Sequence, residues 1–383
     1  MKRARSARNA RRQEYTTVKI TRVTSRAVRV NHRGNWIFAR VETDDGLVGW
    51  GEASHSGDDR AVRVAIDTLG QRAVGRSAFD VEWITTPAAT AARGMIASVA
   101  ASGLEHALWD VIGKATNQPI FNLLGGRLRD RIRLYANINR SVVDRSPEAY
   151  AAKAASAVSE GFRAIKCAPF DGVEWPSIDD DSGRQALLQG LERVRAIRRA
   201  IGPAIDLSVD CHGRFDVPTA IWVADQLVPE RLYWFEEPIA RDDATSLLQI
   251  KPHVTTRLVG GENRIGREGF RDLLERHAVD AVMIDLKFVG GILEGKKIAA
   301  MAETYHVAVS PHSPAGPVAS AAGAQLCATL PNFLVLEYAW GEVPWRADLV
   351  GGEAIEDGYF VLSDRPGLGI EMNMNLLDQH DAD

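Results

Sequence analysis

Three acidic residues, Asp210, Glu236 and Glu262, recur at intervals of 26 residues, each at the end of a short apolar run. One parallel strand, one helix and their two loops take about this many residues, so the spacing places the three carboxylates at corresponding ends of neighbouring strands. Oxygen ligands that converge on one point suit a hard divalent cation such as Mg²⁺. The spacing therefore predicts a metal site, and with it an enzyme.

Other ionisable residues also stand where apolar runs end. Seven such ends carry groups that can bind a metal, a proton or an anion: Lys166, Asp210 with His212, Glu236, Glu262, Asp285, His312 and Glu337. A single Asp at the end of a strand is more often a helix cap or a turn residue. Seven together are better explained by one shared mouth, at which the carboxyl ends of parallel strands meet.

The elements that must position these residues alternate between strand and helix after residue 126. The pattern predicts eight strands, at residues 132–136, 164–168, 205–210, 233–236, 258–262, 281–285, 307–312 and 333–337. Helical patterns lie between them, as at residues 185–200, 219–227, 270–277 and 295–304. Eight parallel strands with crossover helices predict an α/β fold, a closed (β/α)8 barrel of the TIM type.

The first part of the chain has a different pattern. Short β-like runs up to residue 51, with a turn signal at residues 43–46, predict a small antiparallel sheet, and helical patterns follow at 60–69 and 97–116. We therefore expect a basic tail at residues 1–15, an N-terminal α+β domain that caps the barrel at 16–130, the barrel at 131–345, and a C-terminal segment at 346–383 that returns to the capping domain.

Composition excludes several classes of protein. The 383 residues are 45% hydrophobic and 25% charged, with a formal net charge of -4, which is typical of a globular protein and indicates neither a nucleic-acid nor a membrane partner. The basic tail is best read as solvated, with a targeting sequence or a basic arm as alternatives. The sequence contains no run of 18 apolar residues, so it predicts no transmembrane helix. The three cysteines, Cys167, Cys211 and Cys327, form no disulfide or zinc pattern, so we expect a cytoplasmic location.

Several motifs along the chain resemble the enolase superfamily, specifically its mandelate racemase-like group. They are Trp50-Gly51-Glu52, Ala107-Leu108-Trp109-Asp110, Leu123-Leu124-Gly125-Gly126, Phe235-Glu236-Glu237-Pro238, Gly261-Glu262-Asn263 and Ser310-Pro311-His312. The resemblance implies that Asp210, Glu236 and Glu262 bind one Mg²⁺ per subunit, that the metal chelates a substrate carboxylate, and that loss of the α-proton gives an enediolate. It also implies a homo-oligomer.

Two further roles follow from the resemblance and from chemistry. His312 is predicted to be the general base, because a carboxylate at the end of the preceding strand, Asp285, can fix the tautomer of its imidazole. A satisfied structural histidine is the alternative. Glu337 corresponds to a glutamate that donates a hydrogen bond while protonated, a role that requires a raised pKa. A structural ion pair is the alternative for Glu337.

Two departures from the racemase pattern narrow the reaction. The chain reads Lys166-Cys167-Ala168, so the second lysine that would act as a base on the other face is missing. Lys166 remains a candidate contact for the substrate carboxylate. His212 follows Asp210 by two residues, and alternate residues of a strand face the same side, so we expect it at the mouth. This Asp-x-His arrangement resembles acid-sugar dehydratases similar to D-galactonate dehydratase, in which the histidine protonates the departing hydroxide. A fourth metal ligand is the alternative.

The leading hypothesis is a Mg²⁺-dependent dehydratase of an aldonate-type sugar acid, a hydro-lyase that forms a 2-keto-3-deoxy acid. The alternatives are a one-base epimerase, isomerase or cycloisomerase, a metal-dependent hydrolase, and a binding protein without turnover. We expect the small carboxylate substrate to be contacted by residues near the capping domain: Arg33, Asn35, Trp36 and Trp340. Arg33, Asn35 and Trp36 are predicted in a loop, and an acidic insertion at 171–181 is expected near the mouth.

Overall fold

A computed structural model describes residues 18–32, 34–54, 57–88, 93–174, 180–240 and 243–382. The predicted basic tail therefore lies outside the described residues. Within these ranges the chain forms an α+β capping domain followed by a (β/α)8 barrel, as the sequence predicts. No helix among these residues has the length and apolarity needed to cross a membrane.

The capping domain is a three-stranded antiparallel sheet covered by helices. Its elements are β1 (Ile20–Asn31), β2 (Gly34–Thr43), β3 (Val48–Glu52), α1 (Asp59–Ala73), α2 (Val81–Thr85), α3 (Gly94–Thr116) and α4 (Ile120–Leu123). Helix α3 is buried over most of its length. It packs tightly on β3 because Gly51 has no side chain: an added Cβ would lie 1.9 Å from the carbonyl oxygen of Gly103.

Eight parallel strands form the barrel. They are β4 (Arg131–Asn137), β5 (Ala164–Cys167), β6 (Asp206–Asp210), β7 (Trp234–Glu236), β8 (Arg257–Gly260), β9 (Ala281–Val282), β10 (Ala308–Val309) and β11 (Leu336–Ala339). Each pairs with the next from β4 to β10, and β11 returns to pair with β4. A bridge between Val309 and Phe333 closes the ring. The barrel interior is packed by one cluster of side chains: Tyr135, Ala164, Trp234, Val259, Ala281, Met283 and Val335.

Helices follow the barrel strands on the outside. They are α5 (Pro147–Ser159), α6 (Asp181–Ile201), α7 (Val217–Leu227), α8 (Ala244–Ile250), α9 (Gly266–Glu275), α10 (Ile292–Thr304) and α11 (Pro317–Cys327). Four of them begin at a side chain of their own that accepts a backbone hydrogen bond: Ser146, Asp180, Asp216 and Asp243. Such caps satisfy amide groups that the first helical turn leaves unpaired.

Four of the predicted strands end two or three residues from their predicted ends. Strand β8 stops at Gly260, two residues before Glu262. The ladders of β9 and β10 stop three residues before Asp285 and His312, although these two residues are themselves bridged in parallel. The eighth strand occupies 336–339 instead of 333–337, because Glu337 pairs with Tyr135 of β4 while Phe333 only bridges β10. Glu262, Asp285 and His312 thus lie just beyond the regular hydrogen bonding, whereas Glu337 lies within it.

The C-terminal segment contacts both domains. It contains α12 (Arg346–Leu349), β12 (Val350–Gly351), β13 (Ala354–Glu356), β14 (Tyr359–Val361), β15 (Glu371–Met372) and α13 (Met374–Gln379). Strand β14 pairs antiparallel with β4, and Asp381 bridges Val28 of the capping sheet. The guanidinium of Arg26 also pairs with Asp378 and Asp381.

Candidate active site

The structure brings the three evenly spaced carboxylates together at the carboxyl ends of β6, β7 and β8. Asp210 and Glu236 are direct partners in the strand register, and Glu262 follows β8 by two residues. One oxygen from each lies within 4.8 Å of the others, and all three residues are buried. This arrangement can hold a metal ion.

The charges of this cluster are incompletely compensated. Oδ2 of Asp210 and Oε2 of Glu262 are buried and accept no hydrogen bond of good geometry, although imidazole nitrogens lie 3.0 and 3.2 Å away. Burial and the charge of Asp210 raise the pKa of Glu236 to about 8. Burial and neighbouring Glu237 raise the pKa of Glu262 well above its usual range. Oxygen donors with excess negative charge fit a hard divalent cation.

Lys166 lies beside these carboxylates on β5. Its ammonium nitrogen contacts two of them, at 2.7 Å from Glu236 and 3.4 Å from Asp210, and it also lies 3.1 Å from Glu337. Burial alone would lower the pKa of Lys166, but the negative charges of Glu236 and Glu337 raise it well above its ordinary value. Lys166 is therefore a cationic hydrogen-bond donor at this site.

His312 and Asp285 form the predicted pair. Nδ1 of His312 lies 2.7 Å from Oδ2 of Asp285, while Nε2 faces Glu262 at 3.2 Å. Lys287, which the sequence analysis missed, is buried and contacts both oxygens of Asp285 at 2.8 and 2.6 Å. Burial opposes ionisation, but Lys287 and His312 lower the pKa of Asp285 to about 2. The ionised Asp285 favours a proton on Nδ1, which leaves Nε2 to accept a proton.

His212 lies on the other side of Asp210 and has a carboxylate partner of its own. Nε2 is 3.0 Å from Oδ2 of Asp210, and Nδ1 is 2.6 Å from Oδ1 of Asp171, whose other oxygen lies 3.2 Å from Arg145. The negative charge of Asp210 raises the pKa of His212 well above its ordinary value, and Asp171 adds to this effect against the opposing burial. His212 is thus held as a cation.

The predicted reason for the position of His212 is wrong. Strand β6 ends at Asp210, and His212 lies in the turn that follows, with a positive φ of 47°. Strand alternation therefore does not bring it to Asp210. The turn does, because the backbone N–H of His212 also donates to Oδ1 of Asp210 at 3.0 Å.

Glu337 is ionised in this arrangement. Burial favours its neutral form, but Lys166 and His312 lower its pKa below the ordinary value. It accepts hydrogen bonds from the side chain of Asn137 (2.6 Å) and from the backbone N–H of Ser313 (2.9 Å). The expected raised pKa is therefore not found, and the contacts of Glu337 are those of an acceptor.

Two of the predicted substrate contacts of the capping domain, Asn35 and Trp36, have structural partners instead. Arg33 lies outside the described residues. The amide of Asn35 donates to Asp59 at 2.8 Å within the capping domain. Trp36 is a buried residue of β2 that contacts Trp345 edge-on, at 5.3 Å between ring centroids. The predicted loop is shorter than expected, because β1 and β2 pair as far as Asn31 and Gly34.

Trp340 points away from the mouth. Its indole N–H donates to Glu160 at 2.7 Å, just beyond the end of α5, because Trp340 alternates with Glu337 along the last strand and faces outward with Tyr338. A sugar-binding role for Trp340 has no support in this position. Of the acidic insertion, residues 175–179 lie outside the described residues, and Asp171 reaches His212 as expected of a segment near the mouth.

Comparisons with known proteins agree with this architecture. Residues 12–125 match the family model of the mandelate racemase/muconate lactonizing enzyme N-terminal domain, and residues 149–376 match the enolase C-terminal domain-like model. A mandelate racemase/muconate lactonizing enzyme-like protein from Rubrobacter xylanophilus superposes with a TM-score of 0.87 at 32% identity, covering 96% of this chain and 98% of that one. A mandelate racemase/muconate lactonizing enzyme from Jannaschia sp. gives 0.85 at 31% identity, covering 96% and 98%.

Curated relatives span nearly the same length. A D-xylonate dehydratase from Haloferax volcanii is 33% identical over 359 residues, or 90% of this chain and 85% of that protein. A D-galactonate dehydratase from Ralstonia pickettii is 33% identical over 379 residues, or 94% of each. The family models, the superpositions and the carboxylate cluster agree: the chain belongs to the mandelate racemase/muconate lactonizing enzyme family of the enolase superfamily.

Proposed function

We propose that the protein is a Mg²⁺-dependent hydro-lyase that removes water from an aldonate-type sugar acid and forms a 2-keto-3-deoxy acid. The observation that carries this proposal is the presence of two separate histidine–aspartate pairs around one carboxylate cluster. β-Elimination needs a base at the α-carbon and an acid at the β-oxygen, and the two pairs supply one of each. The names of the relatives, D-xylonate and D-galactonate dehydratase, support the same reaction.

Asp210, Glu236 and Glu262 would hold the metal. Mg²⁺ bound there would supply a Lewis acid that stabilises negative charge on the substrate carboxylate. Lys166 donates hydrogen bonds and positive charge next to these ligands, so it would help to orient the same carboxylate. Asn137 and the backbone N–H of Ser313 hold Glu337, which fixes the ammonium of Lys166 from the other side.

The protons can be followed through the reaction. Nε2 of His312 takes the α-proton, and the electron pair of that C–H bond passes to the substrate carboxylate. In a second step this electron pair forms the new double bond as the β-carbon–oxygen bond breaks. His212, held as a cation, gives a proton to the departing oxygen, which leaves as water. The resulting enol takes a proton at its β-carbon and loses its hydroxyl proton to become the 2-keto acid. His212 and His312 then exchange protons with solvent.

The rival activity is a one-base epimerisation, isomerisation or cycloisomerisation, in which His212 only orients the substrate. It is not favoured, because the curated relatives described above are dehydratases and because His212 has its own carboxylate partner, Asp171, beside the cluster. We also propose that the partner is a small carboxylate and that the enzyme is cytoplasmic, which fits its three buried, unpaired cysteine thiols.

The test is a screen of aldonic acids, xylonate and galactonate included, for 2-keto acid formation with EDTA and with added Mg²⁺. We expect turnover of at least one acid, loss in EDTA, and recovery with Mg²⁺. Asp210→Asn should abolish turnover, whereas Asp225→Asn, on the exposed face of α7, should not. Undiminished turnover in EDTA, or no keto acid from any member of the screen, would contradict the proposal.

A further inference from the structure

Two buried carboxylates of the capping domain reach into the barrel. The first is Glu52, the last residue of β3, which is fully buried. Its carboxylate accepts the backbone N–H of Gly316 at 2.6 Å and that of Ala319 at 2.8 Å, at the beginning of α11. The hydroxyl of Ser54 donates to the same carboxylate at 2.7 Å. Glu52 therefore caps a barrel helix from another domain.

The second carboxylate is Glu105, in the middle of α3. It accepts the backbone N–H of Ile292 at 2.8 Å and that of Leu293 at 2.9 Å, at the beginning of α10, and the indole N–H of Trp109 at 2.8 Å. The carboxyl group also lies at the positive end of the α10 dipole, which favours its ionised form against the effect of burial. Glu105 thus does for α10 what Glu52 does for α11.

The capped helices have no side-chain cap of their own. Each begins at a glycine, Gly291 for α10 and Gly316 for α11, whereas four other barrel helices use their own serine or aspartate. A Cβ on Gly291 would lie 2.2 Å from an oxygen of Glu105, and one on Gly316 would lie 2.9 Å from both oxygens of Glu52. Glycine at these two positions therefore leaves the space that the carboxylates occupy.

These two helices follow the strand ends that carry the base. The segment between β9 and α10 contains Asp285 and Lys287, and the segment between β10 and α11 contains His312. Helix α3 holds the first segment at two more points, because Ser98 donates to the carbonyl of Phe288 and Ser102 accepts the N–H of Gly290. The capping domain thus contacts both of the segments that carry the His312–Asp285 pair.

We propose that Glu52 and Glu105 are positioning residues for the proton-abstracting base, so that the capping domain sets the geometry of His312 and Asp285. This inference rests on the proposed function, in which His312 removes the α-proton. A misplacement of about 1 Å at a reacting group can cost on the order of 100-fold in rate. Loss of either cap should therefore slow proton abstraction while leaving substrate binding nearly intact.

The test compares Glu52→Gln and Glu105→Gln with a matched control, Asp110→Asn. Asp110 lies on the same helix as Glu105, is equally buried, and also accepts two backbone hydrogen bonds, but from Trp50 and Leu368 instead of the base segments. Gly316→Ala adds a variant that displaces Glu52 without replacing it, although the added Cβ also lies 2.9 Å from the ring of Trp36. The backbone φ of -73° is one that alanine adopts freely.

We expect kcat to fall by about 10- to 100-fold in the Glu52 and Glu105 variants, with KM changed less than about 3-fold. Asp110→Asn should lower the thermal midpoint of unfolding by about as much as Glu52→Gln and Glu105→Gln do. Its kcat should stay within about 3-fold of the wild-type value. Equal loss of kcat in Asp110→Asn, or wild-type kcat in both glutamine variants and in Gly316→Ala, would overturn the inference.

A second readout separates this inference from the proposed function. The imidazole nitrogen signals of His312, assigned by their loss in His312→Asn, report its tautomer by NMR without substrate. They should change in Glu52→Gln and Glu105→Gln and stay unchanged in Asp110→Asn. Unchanged His312 signals in both glutamine variants would contradict the positioning role even if no sugar acid were dehydrated.

Discussion

The two histidine–aspartate pairs of the site differ in their surroundings. His312 and Asp285 are buried, with 10% and 0% of their side chains exposed, and a buried lysine completes the pair. His212 and Asp171 are 31% and 18% exposed, and their third member, Arg145, is 28% exposed. Asp285 and His312 follow strands β9 and β10, and the helices after them are capped by residues of the capping domain. His212 and Asp171 lie in turns.

The difference teaches what each role requires. A base that removes a weakly acidic proton gains most from a fixed position and a fixed tautomer, which burial and Lys287 provide. An acid needs mainly to be protonated when the leaving group departs, and the negative charges of Asp210 and Asp171 hold His212 in that form. A metal ion bound by Asp210 would offset part of the negative charge with which Asp210 raises the pKa of His212. Asp171, which is not one of the proposed metal ligands, would then remain as the partner that keeps His212 protonated.

The largest effect is expected from the base itself. His312→Asn should lower α-proton exchange and dehydration together by roughly 10³-fold, because no other described group lies in its place. Exchange is measured by NMR in D₂O and dehydration by keto-acid formation. His253→Asn, at an exposed position, is the control. Exchange at the wild-type rate in His312→Asn would assign the base elsewhere.

The cations that contact the two aspartates, Lys287 beside Asp285 and Arg145 beside Asp171, should contribute unequally to kcat. Lys287→Met removes a buried cation from Asp285 and should lower kcat by roughly 10-fold or more, with a clear loss of thermal stability. Arg145→Met removes a partly exposed cation from Asp171 and should lower kcat by less than about 5-fold. Equal losses of kcat in the two variants would contradict the idea that the buried His312–Asp285 pair depends on its cation more than the partly exposed His212–Asp171 pair does.

A smaller effect is expected for the partner of the acid. Asp171→Asn keeps an acceptor for His212 but removes a negative charge, so dehydration should slow by about 5- to 10-fold while α-proton exchange stays unchanged. The two rates measured on one sample provide the check. A parallel fall of both rates would place Asp171 with the base instead.

The smallest effect concerns the support of the base pair. Burial raises the pKa of Glu105 to about 7 in the folded protein, against an ordinary value of about 4.5. The neutral form is thus favoured on folding, so this stabilisation is complete below about pH 4.5 and is lost as the pH rises through about 7. The thermal midpoint of the wild type should therefore fall relative to Glu105→Gln between about pH 5 and pH 8. Parallel profiles would contradict this shift.

The sequence predicted the residues that carry the chemistry better than it predicted the residues that hold them in place. Spacing located Asp210, Glu236 and Glu262, because a barrel repeats one strand and one helix at nearly constant length. Lys287 was missed, because a lysine that follows a strand is usually exposed to solvent, whereas this one is buried. The outward direction of Trp340 depends on where the last strand ends, which the apolar pattern placed two residues too early, at Glu337 instead of Ala339. Glu52 and Glu105 act between domains, and no local pattern reports such contacts.

The central claim is that base and acid are separate residues, and His212→Asn tests it most directly. In D₂O with a sugar acid that the wild type dehydrates, we expect this variant to exchange the α-proton within about 10-fold of the wild-type rate. Keto-acid formation should fall by roughly 10³-fold, because the departing hydroxide then lacks its proton donor. Loss of exchange together with dehydration, or dehydration at the wild-type rate, would contradict the account.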